Sequence, residues 1–435
     1  MKFGKFGTVG KVALILTIAL AAATLFSACA TLTVGFLYVA STSASPGQIE
    51  VYEVNSETGG LRTIPTSPFP SGGRNPLAEA VSSDYNNLYV ANNDDNNITQ
   101  FGIGTDGKLY PQSTINTPGT FPMALAVDQA NPFLYVVDQL QPIAGCSQSN
   151  PCPGAVAGYA ITPQKAYSYP GGLGQLPTSC NGTSQPSPAP TCTNGNAITN
   201  SNGLGYLPLQ LSANDTTVLS PTAIALAPNG SFAYVTAYNP STSQGYLFTF
   251  AINSDGSLAS VPSGSTYSFN STTTAQIPAS LGSEPAGITV DSASSYAYVV
   301  DKINYTLTAF SIQSTGLLQK VSSAATGAAP ASVALSSTGY LYVANTLDGT
   351  VNGYSSSSGT LTTIGTYASS EDPIAVIGDP RQLGFLYTVN FLGNSVSGFQ
   401  VQPGTGVLVN TQNTPYGSIA QPTAITGIPH SGNTH

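Results

Sequence analysis

The sequence predicts an all-β protein built from one four-stranded unit repeated around a closed ring. Two observations predict it. The first is composition: only 7% of the 435 residues are charged, against 45 Gly, 32 Pro and 23 Tyr. Long helices draw on Ala, Leu, Glu, Lys and Arg for their surfaces, and the charged part of that supply is thin here. Turn formers mixed with Tyr, Val and Thr favour many short strands instead. The second is repetition. "PMALAVDQANPFLYVVD" at 122–138, "PAGITVDSASSYAYVVD" at 285–301 and "PASVALSSTGYLYVAN" at 330–345 are versions of one text, recurring about every 45–50 residues. Such a period marks a repeat architecture.

The elements of the unit follow in order. Each opens on a Pro with a small residue two places on: Pro76, Pro122, Pro221, Pro285, Pro330, Pro373 and Pro422. About ten residues later comes a strand of the "LYV" type, at 88–90, 134–136, 233–235, 297–299, 341–343 and 386–388. A third alternating strand follows, as in "GYLFTFAI" (245–252), then a Gly turn and a fourth, as in "STGLLQKV". Four antiparallel strands per unit, seven times over, make a seven-bladed β-propeller. The chain ends complete each other. An "LYV" at 37–39 has no Pro unit before it, and "PTAITGI" at 422–428 has no "LYV" after it. The last strand is therefore predicted to join the first blade, closing the ring and removing the unpaired edges of an open array. The propeller spans 34–428, with a tail at 429–435.

One interval is about two periods long. It contains "QPIAGCSQSNPCPG" and a Pro/Ser/Thr/Cys-rich stretch at 163–206. An eighth blade is one reading. Insertions at about 139–154 and 163–206, decorating the blade that starts at Pro122, are the favoured one. Cys146, Cys152, Cys180 and Cys192 form two local pairs, and an even count in an exported chain reads as disulfides, Cys146–Cys152 and Cys180–Cys192. No His lies nearby, so zinc is the weaker alternative.

Residues 1–29 read as a signal rather than fold. Lys2, Lys5 and Lys11 precede the apolar run "VALILTIALAAATLF", which is short for a membrane span. "LFSAC" then ends at Cys29 and resembles the lipobox of bacterial lipoproteins, whose cysteine is lipidated. An ordinary secretory signal cleaved near Ala28 or Ala30, or a helical anchor over 12–40, are the rival readings. Lipidation at Cys29 implies an exported protein of the bacterial cell envelope, tethered to the membrane. The seven or so residues from Cys29 to Phe36 reach only ~25 Å. All three lysines lie in the signal, so of 10 Lys and Arg only 7 remain beyond it, against 19 Asp and Glu: a formal charge near −12. A polyanion such as DNA or RNA is repelled. A monomer without cofactor or metal is expected.

Two positions of the repeat bear on function. The residue three after the Pro is aliphatic in six units (Leu125, Ile224, Ile288, Val333, Val376 and Ile425) but is Glu79 in the seventh. A carboxylate in an aliphatic slot costs several kcal/mol unless paired or protonated. Glu79 is therefore either an exposed strand start or a site carboxylate of raised pKa near the channel mouth. The loops before the Pro strands add Arg74, Glu284, Glu371 and Asp372. Arg74 and Glu79, with Glu284 across the mouth, are the candidate catalytic cluster; solvated loop charges are the plainer alternative. Two residues after "LYV" stand Asn92, Asp138, Asp301, Asn345 and Asn390. Asx side chains bond their own backbone in turns, which is their default role. As a ring they are candidate ligand-binding acceptors for a sugar or cation. "NNDDNN" at 92–97 lacks the full spacing of a calcium loop.

The repeats "LYVAN", "LYTVN" and "AYVVD", set after Pro-Xaa-small strands, resemble the lactonase-type seven-bladed propellers. That group includes phosphogluconolactonase-like enzymes and grades into "YVTN"-repeat surface proteins. The resemblance implies the fold over nearly all of 34–428. It also implies a hydrolase site with a His in a Pro-Xaa-His strand and Arg and Glu in the mouth. Here those strands carry Ala, Gly or Ser, and the only histidines are His430 and His435. No Gly-Xaa-Ser-Xaa-Gly elbow or metal triad is present. The leading expectation is thus an envelope binding or scaffold module whose ligand is a protein, a glycan or a small lactone. The alternative is a lactonase using Glu and Arg at the channel mouth.

Overall fold

The computed structural model describes residues 33–161, 172–175, 206–211, 215–260, 267–268, 284–379 and 383–430. These residues form seven antiparallel sheets arranged as the blades of a propeller. Blade 1 is built from both chain ends. Its innermost strand is Pro422–Pro429, followed outward by Thr33–Ser41, Gln48–Asn55 and the short outer pieces Leu61–Thr63 and Phe69–Pro70. Tyr38 pairs with Thr426 and Val39 with Ile425, so the predicted closure holds. The innermost strands of blades 2 to 7 are Pro76–Val81, Thr120–Val127, Ser220–Leu226, Pro285–Val290, Pro330–Leu335 and Pro373–Gly378. Among the described residues there is no eighth sheet, and the only helix is a 3-10 turn at Asn93–Asp95.

The core does not lie within blades but between them. Seven apolar clusters each straddle two neighbouring blades. Residues alternate in facing: Val376 of blade 7 packs back on blade 6, while Ala375 packs forward on blade 1. Small residues two after the Pro follow from the convergence of innermost strands near the axis. A Cβ on Gly287 would lie 2.9 Å from the Ala331 carbonyl of the next blade.

The "YV" motif has a specific task in this packing. The Tyr of one blade crosses to the strand 3–4 turn of the next and donates its hydroxyl to a glycine carbonyl. Tyr38 bonds Gly107 O (3.2 Å), Tyr135 bonds Gly256 O (2.7 Å), Tyr342 bonds Gly406 O (2.7 Å) and Tyr387 bonds Gly59 O (2.8 Å). Two residues earlier an aromatic ring covers the turn glycine: Phe36 on Gly107, Phe385 on Gly59 and Tyr340 on Gly406. Blades 4 and 5 depart from this pattern: the Tyr234 hydroxyl is buried without a partner, and that of Tyr298 bonds Ser356 Oγ at 2.9 Å.

In blade 3 the second strand Phe133–Leu140 and the third Ala155–Ile161 are joined by a loop closed by the Cys146–Cys152 disulfide. The Cα atoms of the pair are 5.6 Å apart, normal for such a bond. Cys180, Cys192 and Cys29 lie outside the described residues.

Candidate functional site

The Pro-led strands all start on one face, called upper here, where the second strand of each blade also hands over to the third. The expected cluster of Arg74, Glu79 and Glu284 does not assemble there. Arg74 is tied to its own blade. Its side chain contacts Asp95 Oδ1 at 2.6 and 2.7 Å, and its backbone amide donates to Asp95 Oδ2. That pairing lowers the Asp95 pKa and raises that of Arg74. The neighbouring Asp94 accepts from Asn75. The "NNDDNN" acids are therefore committed to the turn before Pro76.

Glu79 is not at the mouth either. It lies opposite Val90 in the strand pair, at the position that in blade 7 faces the preceding blade. Its charge bears on Tyr38 of blade 1. The residue as a whole keeps some exposure, but both carboxyl oxygens are enclosed and make no hydrogen bond. Burial alone pushes its pKa well above the carboxylate range. A carboxyl enclosed in a seam between blades is a structural irregularity, and its oxygens cannot reach a substrate as a base.

The Asx positions are buried turn-makers. Asn345 Nδ2 donates to Asn352 Oδ1 at 2.8 Å and to Thr350 Oγ1 at 3.0 Å. Asn390 Nδ2 donates to Ser395 and Ser397, and Asn92 Nδ2 to Asn97 and Thr99. Asp301 Oδ1 accepts the amides of Ile303 and Asn304. Asp138 Oδ2 accepts the Gly119 amide at 2.9 Å, while burial pushes its pKa up to about 7. Glycines three before the Pro make room for these side chains: a Cβ on Gly73 would meet Asn92 at 2.6 Å, and one on Gly119 would meet Asp138 at 2.6 Å. All five are enclosed, so they knit the loop before each blade to its second turn and present no open acceptor ring.

The upper mouth does hold a different polar cluster, with Glu284 in it. Glu284 pairs with Lys302 at 2.9 Å, and the Lys302 amide also donates to the Glu284 carbonyl. Tyr238, at the upper end of blade 4, feels both charges, Glu284 raising and Lys302 lowering its pKa after burial has raised it. Asp372, the residue before Pro373 of blade 7, is half-buried at φ 57°. Desolvation raises its pKa, Glu371 adds to the rise, and Lys302 opposes it. The Lys302 charge thus bears on a phenol of blade 4 and a partly desolvated carboxyl of blade 7, while its one direct side-chain contact is Glu284. Nothing in the sequence singles out Lys302 and Tyr238, since each stands beside the "YV" strand of its own unit and only the arrangement of blades relates them to Asp372. The chemistry on offer is a proton acceptor of raised basicity and a cation held in place by its own carboxylate.

The model of the family described as "Lactonase, 7-bladed beta-propeller" matches residues 35–144 and 225–378. No curated protein sequence matches significantly. Among solved structures the chain is similar to a candidate 6-phosphogluconolactonase from Bacteroides fragilis, at 19% identity and TM-score 0.63, covering 92% of this chain and 99% of that one. It is also similar to the periplasmic gluconolactonase of Pseudomonas aeruginosa, at 15% identity and TM-score 0.61, covering 91% and 99%. A protein from Lactobacillus plantarum aligns at 16% identity and TM-score 0.63, covering 91% and 100%. At such identities the likeness is one of fold. The family match spans more than half the sequence and agrees with the seven closed sheets, so the chain belongs to the lactonase family of seven-bladed β-propellers.

Proposed function

We propose that this protein opens neutral lactone rings at the upper mouth. The carrying observation is the Glu284–Lys302 pair at 2.9 Å, with Asp372 in the same field, on the family's propeller. Water adds to the lactone carbonyl while the Asp372 carboxylate takes its proton. The Lys302 ammonium stabilises the oxyanion of the tetrahedral intermediate. Collapse breaks the ring C–O bond, and Asp372 returns the proton to the leaving alkoxide, giving a hydroxy acid. Glu284 positions Lys302. Glu284, Glu371 and Asp372 outnumber one cation, so a phosphorylated lactone is disfavoured.

The test is titration of acid release from a panel of neutral lactones. Asp372→Asn and Lys302→Met each lower kcat/KM by about 10²-fold or more. Glu79→Gln and Arg74→Gln leave it within twofold. Activity rises with pH through the raised pKa of Asp372, because the ionised form is the base. A wild-type protein inert on every lactone, or an Asp372→Asn variant at full activity, overturns the reading.

We infer further that the chain is exported and held at the cell envelope through Cys29. The Cys146–Cys152 disulfide supports this, since such bonds persist in oxidising compartments. Mass spectrometry of the mature N-terminus checks it. A diacylated Cys29 is expected, lost in Cys29→Ser; an unmodified terminus at Met1 refutes export and anchor together.

A further inference from the structure

On the face opposite the upper mouth, the turns that end the innermost strands surround a cavity of about 730 Å³. It spans blades 4 to 7 and is independent of the lactone site, because the two open at opposite ends of the ring. Its lining has a consistent chemistry. Val333 and Leu335, from the innermost strand of blade 6, supply an aliphatic surface. Ser292, Ser337 and Ser358 come from turns of blades 5 and 6, and their hydroxyls bond no described residue. Asp291 uses one oxygen to hold its turn, Oδ1 accepting the amides of Ser295 (2.6 Å) and Tyr296 (2.8 Å). Its Oδ2 is left without a protein partner. Among the described residues lining the cavity there is no Lys, Arg or His.

We infer that this lower cavity is a binding site for a neutral saccharide. Each free serine hydroxyl can both donate and accept, as sugar hydroxyls require. A carboxylate oxygen accepts strongly from hydroxyl donors. The aliphatic strip suits the C–H face of a pyranose ring, and a concave site with a few convergent polar groups is the usual form of a small-molecule pocket. An anionic ligand would bring its charge against Asp291 and Asp379, with no Lys, Arg or His among the described lining residues to receive it. The volume accommodates two or three sugar residues within the common range of about 300–1,000 Å³ for ligand sites.

Saturation-transfer NMR and calorimetry on the whole mature chain test this with maltotriose, cellotriose and N,N′,N″-triacetylchitotriose as neutral probes and trigalacturonate as the anionic control. At least one neutral probe binds and the anion does not. Ser337→Trp, which fills the cavity from an exposed turn, lowers affinity at least tenfold while lactone turnover stays unchanged. Asp291→Asn keeps the turn acceptor, removes one of the two lining carboxylates and weakens binding severalfold, while Asp379 still repels trigalacturonate. Should Ser337→Trp not fold, Ser292→Tyr replaces it, Ser292 being exposed as well. Absence of transfer to all three neutral probes at 10 mM, or undiminished binding by the filled variant, overturns the inference. Loss of lactonase activity in a separate assay has no bearing on it.

Discussion

Glu79 occupies a slot that six repeats fill with Leu, Ile or Val. Its oxygens are enclosed between blades 1 and 2 without a hydrogen bond. The folded chain therefore holds the proton to higher pH than the unfolded chain does. Below the ordinary glutamate pKa both states are protonated and there is no penalty. As pH rises past that value the unfolded state releases its proton first, and stability falls until the folded value is reached. Glu79→Leu is expected to raise stability at pH 7 by roughly 1–3 kcal/mol, from the lifted cost of an unpaired buried polar group. It should also flatten this part of the pH profile. Urea denaturation at pH 4 and pH 7 measures both; a variant no more stable than wild type at pH 7 refutes the burial argument. The odd Glu was legible in the sequence, since it breaks a repeat column. Its direction was not: the mouth and the blade seam are one residue apart along a strand, and side-chain facing alternates at that step.

The inter-blade clamp operates at the level of elements. A second-strand Tyr and the aromatic two before it hold the next blade's turn glycine, which sits at φ 78° in Gly107. A Cβ there would lie 2.4 Å from the Phe36 ring. Gly107→Ala therefore combines left-handed strain with overpacking, and about 1–3 kcal/mol of stability is expected to be lost. Gly339→Ala, at φ 83° with open space around its Cβ position, isolates the strain alone and costs less. Thermal melts of the two variants compare the terms; equal losses mean that the aromatic lid contributes nothing. The "YV" column and the Gly turns are both plain in the sequence as separate signals. That they are two halves of one contact is invisible there, because the halves belong to different repeats.

Ring closure governs the whole molecule. Seven register pairs join Pro422–Pro429 to Thr33–Ser41. Deleting residues 422–435 leaves the second strand of blade 1 with a bare edge and strips part of the 7–1 seam, where Ile425 packs. Circular dichroism and light scattering should show loss of the cooperative melt and aggregation of the truncated chain. A truncated protein that melts like the full one would mean closure is dispensable.

Repetition, the small residue after each Pro and the complementary chain ends were enough to determine an all-β ring of seven sheets. These are local patterns whose period and pairing are written along the chain. The Cys146–Cys152 pair, six residues apart, belongs to the same class. What only the tertiary structure decided is which charges meet. Arg74 turned to Asp95 in its own blade, Glu79 into a seam, and Glu284 to Lys302. Contacts across the mouth depend on the angle between blades, and nothing in a sequence written one blade at a time encodes that angle.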